Sequence, residues 1–151
     1  MHKVILIKHS KGAIGLRLFG LGPNLKPCRA LSKLQKFLNN NTFWAKNRSM
    51  YNLKKCLAKS DVILSIWFEN EIVGFGRALS DEVYRGVLWD VVIDRNFQKK
   101  GLGKMIINNL LNSKELKNTK KVYLMTTNKK LFYSQFKFKE VLSQSLLIRE
   151  I

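Results

Sequence analysis

The sequence predicts an α/β fold of the α+β kind, a mixed central sheet with helices on both faces in the order β-α-α-β-β-β-α-β-α-β. Three observations predict it. Apolar residues keep helical spacing through two stretches of the first sixty positions, then change abruptly to dense strand-like runs at Val62. Those runs are apolar at consecutive positions, the pattern of strands covered on both sides. The length of 151 residues suits one domain, spanning 1–151, that buries about two thirds of its unfolded surface.

The elements follow in order. Val4-Ile5-Leu6-Ile7 makes the Met1 to Ile7 segment a strand, since the run is too short for the core of a secretory signal and lacks a small-residue cleavage site. After a loop around Gly20-Leu21-Gly22-Pro23 and Pro27, residues Leu31, Leu34, Phe37 and Leu38 mark a helix, which Asn39-Asn40-Asn41 is expected to end. A second helix runs from about Arg48 to Lys59, with Met50, Leu53, Cys56 and Leu57 on its apolar side. Val62 to Phe68 and Ile72 to Leu79 form a hairpin about Asn70-Glu71, and Gly86 to Ile93 is a third strand, apolar except at Asp90. A helix starts near Gly101, carrying Leu102, Met105, Ile106 and Leu110 on its buried stripe. Lys121 to Thr127 reads as a strand, Lys129 to Phe136 as a short helix, and Phe138 to Ile151 as one or two closing strands.

Composition excludes several classes. No apolar run approaches the roughly 18 residues of a membrane-spanning helix. Cys28 and Cys56 are too few for a disulfide framework, and with His2 and His9 they form no metal-ligand spacing, so no metal is expected. The formal charge of +18 is uneven: residues 1–60 hold thirteen Lys and Arg and no carboxylate, while residues 61–151 hold fifteen bases and ten acids. Such a field favours an anionic partner for residues 1–60, whether nucleic acid, acidic protein, membrane surface or phosphorylated cofactor. Drift in an AT-rich genome accounts equally for the charge, given 21 Lys against 7 Arg and 13 Asn.

The chemistry concentrates where the third strand meets the following helix. Two glycines at a helix start, preceded by Gln98-Lys99-Lys100, leave backbone N–H groups open at the positive end of the helix dipole, a candidate anion site. It is not a nucleotide P-loop, because Gln98 and Met105 stand where Gly and Ser or Thr would be required, and Ile106 replaces the third glycine of a dinucleotide fingerprint.

The run Gln98-x-x-Gly101-x-Gly103 after Val91-Val92-Ile93 resembles the acetyl-CoA signature of the GNAT N-acetyltransferases, Gln/Arg-x-x-Gly-x-Gly/Ala. Phe132-Tyr133-Ser134-Gln135-Phe136-Lys137-Phe138 resembles the family's Phe-Tyr-x-x-x-Gly-Phe, and the hairpin Ile72 to Asp81 looks like its second and third strands. Phrases such as Val73-Gly74-Phe75-Gly76-Arg77-Ala78-Leu79 and Leu88-Trp89-Asp90-Val91-Val92 are similar to small members from cyanobacteria and plastids, some described as serotonin or arylalkylamine N-acetyltransferases. That likeness and the AT-rich composition suggest a chain encoded in the plastid and working in the stroma, with the cytoplasm as the alternative.

The resemblance implies roles position by position. Val91, Val92 and Ile93 would pair their backbone with the pantetheine arm of acetyl-CoA, with an N–H near Val91 polarising the thioester carbonyl. Gln98, Lys99, Lys100, Gly101, Leu102, Gly103 and Lys104 would wrap the pyrophosphate. Tyr133 would protonate the departing thiolate, and Thr126 stands where many members have Asn or Asp. Lys137 occupies a position where the family usually has glycine, so the turn there must differ or tolerate strain. Members with a basic side chain on the signature strand carry it at positions matching Val87 or Trp89, and neither accepts a proton. Asp90 is expected to be a paired carboxylate; Asp81 and Glu82 could reach the acceptor side through a water. The implied activity is direct acetyl transfer to a primary amine, a small arylalkylamine or a protein amine; the alternative is a basic nucleic-acid or ribosome-binding module without turnover.

Overall fold

A computed structural model describes residues 3–151, so Met1 and His2, which the sequence reading placed in the first strand and among potential ligands, lie outside the described residues. Five strands form one sheet in the order β1 (Ile5–Lys8), β2 (Val62–Phe68), β3 (Glu71–Ser80), β4 (Arg85–Ile93) and β5 (Lys121–Tyr123). The first four are antiparallel neighbours and β5 runs parallel to β4, which makes the sheet mixed as expected. The β2–β3 hairpin closes with Phe68 opposite Glu71, and Glu69 and Asn70 between them both hold positive φ, 47° and 68°. That pair of left-handed residues suits the right-handed twist of the strands they join.

Helices cover both faces. α1 (Ile14–Phe19), α2 (Ala30–Asn41) and α3 (Met50–Ala58) pack on one side, where Leu34, Phe37, Leu38, Leu53 and Leu57 bury against Ile63, Trp67 and Phe75. α4 (Leu102–Leu111) packs on the other, where Ile106, Ile107 and Leu110 meet Val62, Leu64, Ile66, Val73 and Leu88. The short α5 (Lys130–Ser134) joins this second cluster through Phe132 and Tyr133. Along β2 the residues alternate between the two clusters, which is why that strand reads as continuously apolar.

The asparagine triplet closes α2 as expected: Asn41 is its last residue, and there Thr42 turns extended and its hydroxyl donates to the Leu38 carbonyl at 2.8 Å. Three readings are corrected. α1 was not foreseen, because six residues are too few to establish a period. The strand expected over Lys121 to Thr127 ends at Tyr123. No strand forms over 138–151, and residues 139–151 are exposed throughout. A strand exists only by pairing, and no described bridge joins residues 138–151 to the sheet.

Candidate active site

The centre of the site is β4, shaped by a bulge and by the loss of its neighbour. Trp89 pairs with Arg77 and Val92 with Phe75, so Asp90 and Val91 together face the single Gly76. The extra residue sits at Asp90, whose φ of 53° is left-handed. On the opposite edge, pairing with β5 ends at Val87–Tyr123. From Leu88 to Ile93 that edge of β4 therefore has no paired strand among the described residues, and its backbone groups can take an extended ligand as an added strand. Val91 and Ile93 turn their side chains to the α4 cluster, leaving the edge to main-chain atoms.

The unpaired edge leads into the start of α4. Asp94 ends the strand, its carboxylate accepting from the Asn96 amide at 2.8 Å, and a 3₁₀ turn over Arg95–Phe97 follows. Gln98 donates its side-chain amide to the Ile93 carbonyl at 3.4 Å. The chain then reverses through Lys99 and Gly101, with φ of 62° and 84°. A Cβ placed on Gly101 would meet no atom within 4 Å, so space opens directly before the helix. A Cβ on Gly103 would come within 3.1 Å of the Phe132 ring, so the second glycine lets α5 approach α4. The first turn of α4 has neither an acidic residue nor a side-chain cap, which leaves its N–H groups available to an anion. Lys99 and Lys104 are exposed beside it, whereas the Lys100 ammonium lies 5.3 Å from the centre of the Phe97 ring. This cradle, open beyond Gly101 and rimmed by cations, is suited to an anion.

Tyr133 packs edge-on between Phe132, at 5.0 Å, and Phe138, at 6.0 Å between ring centres. Burial raises the pKa of its phenol above the ordinary value, which keeps the proton in place at neutral pH. The Thr126 hydroxyl accepts from the Lys129 amide at 3.1 Å and so organises the turn into α5. Lys137, in the position of the missing glycine, adopts φ of 69°: the turn keeps its left-handed shape and the lysine bears the strain.

Of the carboxylates near β4, Asp81 and Asp90 are engaged, whereas Glu82 is exposed in the turn before the strand, its backbone N–H donating to Ser80 Oγ at 2.9 Å. Asp81 accepts from the amides of Val83, Tyr84 and Arg85 at 2.7–3.0 Å, and these bonds hold its pKa below the usual range. Asp90 is buried. Burial alone would raise its pKa, but hydrogen bonds and charge from Arg48 and Arg77 outweigh that and hold it low. Neither is suited to accept a proton at neutral pH. Arg48, Arg77 and Trp44, which all reach Asp90, were not singled out by sequence, because they lie 42, 13 and 46 positions away and no local pattern links them. A shallow depression at the end of the sheet, lined by Asp61, Leu79, Ser80, Asp81, Arg85, Val87 and Tyr123, adjoins the point where β4 and β5 part. Among the described residues no group of three or more His, Cys, Asp or Glu is placed to hold a metal ion, and no helix is long and apolar enough to cross a membrane.

Comparison with known proteins agrees with this geometry. A protein of Porphyra purpurea named Uncharacterized N-acetyltransferase ycf52 is 39% identical over 72 residues, a match covering 45% of this chain and 41% of that protein. The GCN5-related N-acetyltransferase 1, chloroplastic, of Arabidopsis thaliana is 33% identical over 72 residues, covering 46% of this chain and 36% of that protein. The matches thus span about two fifths of the length of these relatives. A crystal structure of a GNAT-family protein from Xanthomonas campestris superposes with a TM-score of 0.74 over 100% of this chain and 95% of that one, at 20% identity, a likeness of fold. The sequence family described as Acetyltransferase (GNAT) family matches residues 31–138. A strand that loses its partner, an open glycine turn at the head of α4 and a match over most of the chain place this protein in the GNAT acetyltransferase family, whose members use acetyl-CoA as cosubstrate.

Proposed function

We propose that the chain acts as one N-acetyltransferase domain that carries acetyl from acetyl-CoA directly to a primary amine, with no covalent enzyme intermediate. The observation that carries this reading is the continuity of the unpaired β4 edge, residues 88–93, with the open N-terminus of α4, which together make one track for an extended, phosphate-bearing thioester. In it the backbone of Val91, Val92 and Ile93 binds the arm, residues Gln98 to Lys104 hold the phosphates, and Tyr133 gives its proton to the leaving sulfur. Thr126 supports this arrangement by fixing the turn before α5. With Asp90 and Asp81 engaged, the acceptor amine loses its proton to solvent, through the depression beside Val87 and Tyr123.

The acceptor is a small arylalkylamine, as the likeness to small plastid and cyanobacterial members suggests, or a protein amine, and the site of action is the plastid. The location is supported by the relative from Arabidopsis thaliana whose name carries the word chloroplastic. Release of free thiol from acetyl-CoA, measured against tryptamine, tyramine, a lysine-containing peptide and a peptide with a free N-terminus, tests the reading. Turnover with the small aromatic amines is expected. Thiol release no faster than hydrolysis with every amine, together with salt-sensitive retention of random RNA, would favour instead a nucleic-acid-binding role for the basic residues 1–60.

A further inference from the structure

Among the described residues Asp90 is the one buried carboxylate, with 3% of its side chain exposed. Its oxygens accept four hydrogen bonds. Oδ1 takes Trp44 Nε1 at 3.1 Å and Arg48 Nη2 at 3.2 Å; Oδ2 takes Arg48 Nη1 and Arg77 Nε, each at 2.8 Å. Three of the four come from the connection between α2 and α3. The other polar contacts of that connection stay among the helices and their junctions: Ala45 donates to the Thr42 hydroxyl, the Asn47 amide to Asn39, Gln35 to the Arg48 carbonyl, and the Ser49 hydroxyl accepts from the Asn52 amide of α3. Every described hydrogen bond from residues 43–49 to the sheet therefore ends on Asp90.

We infer that Asp90 is a positioning residue, whose carboxylate pins the 43–49 segment, and with it the Phe43–Trp44 pair, to the bulge of β4. The inference rests on the acetyl-transfer reading for its consequence, not for its geometry. Phe43 and Trp44 are 73% and 49% exposed, and their rings meet edge to face at 5.2 Å. Hydrophobic rings held out in water beside the bulge offer faces to an aromatic body and to an ammonium group. The residue that grips them is also the residue whose left-handed backbone makes the bulge, a conformation Asp tolerates better than its β-branched neighbours Val91 and Val92. Strand shape and acceptor wall are thereby set by one side chain. Without the carboxylate, two guanidinium groups would face each other and the segment would be tethered to the helices alone, with no described hydrogen bond to the sheet.

Two variants test this. Asp90→Asn keeps the shape and an acceptor for Trp44 but removes the charge. Arg48→Met removes the segment's stronger grip and leaves the Asp90–Arg77 pair, so it remains informative where the first fails to fold. Trypsin cleavage after the exposed Lys46, acetyl-CoA binding by calorimetry, and kinetics with tryptamine are measured on the folded protein. For Arg48→Met, cleavage is expected to accelerate about tenfold and KM for tryptamine to rise about tenfold, from loss of a charged bond to a buried partner, with acetyl-CoA affinity unchanged. Arg48→Lys, which can restore one bond, is expected to recover part of both effects. Unchanged cleavage and unchanged KM in folded Arg48→Met overturn the inference, as does a parallel loss of acetyl-CoA affinity, which would mark a general packing role. If the wild-type protein acetylates no amine, the functional proposal fails while the cleavage rates still decide whether Asp90 holds the segment.

Discussion

At Tyr133 two features of one side chain, a phenol kept protonated by burial and a ring locked between Phe132 and Phe138, separate chemistry from packing. Tyr133→Phe removes the hydroxyl alone. Its kcat is expected to fall about a hundredfold, within the range for loss of a positioned general acid, while acetyl-CoA affinity holds. Because the folded pKa lies above the ordinary tyrosine value, the basic limb of the wild-type pH–rate profile should appear on the high side of about 10 and vanish or move in the variant. A loss under about threefold with the limb in place would reduce Tyr133 to a packed ring. At Lys137 the strain is a backbone matter: Lys137→Gly should raise stability by about 1 kcal/mol, seen as a higher urea midpoint with unchanged slope. Tyr133 and Gly101 were legible in the sequence because each sits in a short motif whose spacing is set by one turn of chain. The partners of Asp90 were not, since a bond between residues 42 positions apart leaves no mark on local periodicity.

Among the elements, the hairpin, β4 and the two long helices on opposite faces could be read in advance, because burial on both sides of a strand and along one stripe of a helix writes a strong apolar period. Elements without such burial were misjudged. β5 is less than half as long as expected and the closing strands do not form, since the apolar residues Leu146, Leu147 and Ile148 are consecutive but unpaired, and apolar content cannot supply a partner edge. The parting of β4 from β5 was itself invisible in the sequence, yet it opens the edge on which the proposed thioester track depends. A ligand held by main-chain atoms is insensitive to the side chains that point elsewhere. Val91→Ala should therefore leave the Kd for acetyl-CoA within about threefold while costing about 1 kcal/mol of stability from lost packing. Gly101→Glu should act in the opposite sense: the open space beyond its Cα admits the side chain at the cost of left-handed strain, the fold survives, and a carboxylate in the phosphate cradle weakens binding at least a hundredfold, measured by calorimetry. Equal effects of the two substitutions would contradict recognition through the backbone.

At the scale of the molecule, stability should respond to mild acid through one histidine. His9 bonds Ser65 Oγ at 2.7 Å, and burial lowers its pKa from 6.5 to about 4. Its unfolded form binds a proton in the window from about pH 6.5 down to pH 4 and its folded form does not, so stability falls as pH falls through that window. The loss should reach about 2 kcal/mol by pH 5, read from urea midpoints, and should be absent in His9→Asn. Charge is also divided along the chain. The first sixty residues contain no carboxylate, and among the described ion pairs each one they make, Lys8–Glu115, Lys11–Asp61, Lys33–Glu71 and Arg48–Asp90, reaches across to the later part of the chain. Residues 1–60 are thus a polycation whose described counter-ions all lie in residues 61–151. Cut from that sheet, a peptide of residues 1–60 would repel itself and stay unfolded, and since residues 61–151 carry a net charge of +5 themselves, the long-range field would oppose its return, leaving the shared core and the local ion pairs to bring the pieces together. The two pieces would behave as a split protein whose reassembly moderate salt would assist by screening that repulsion.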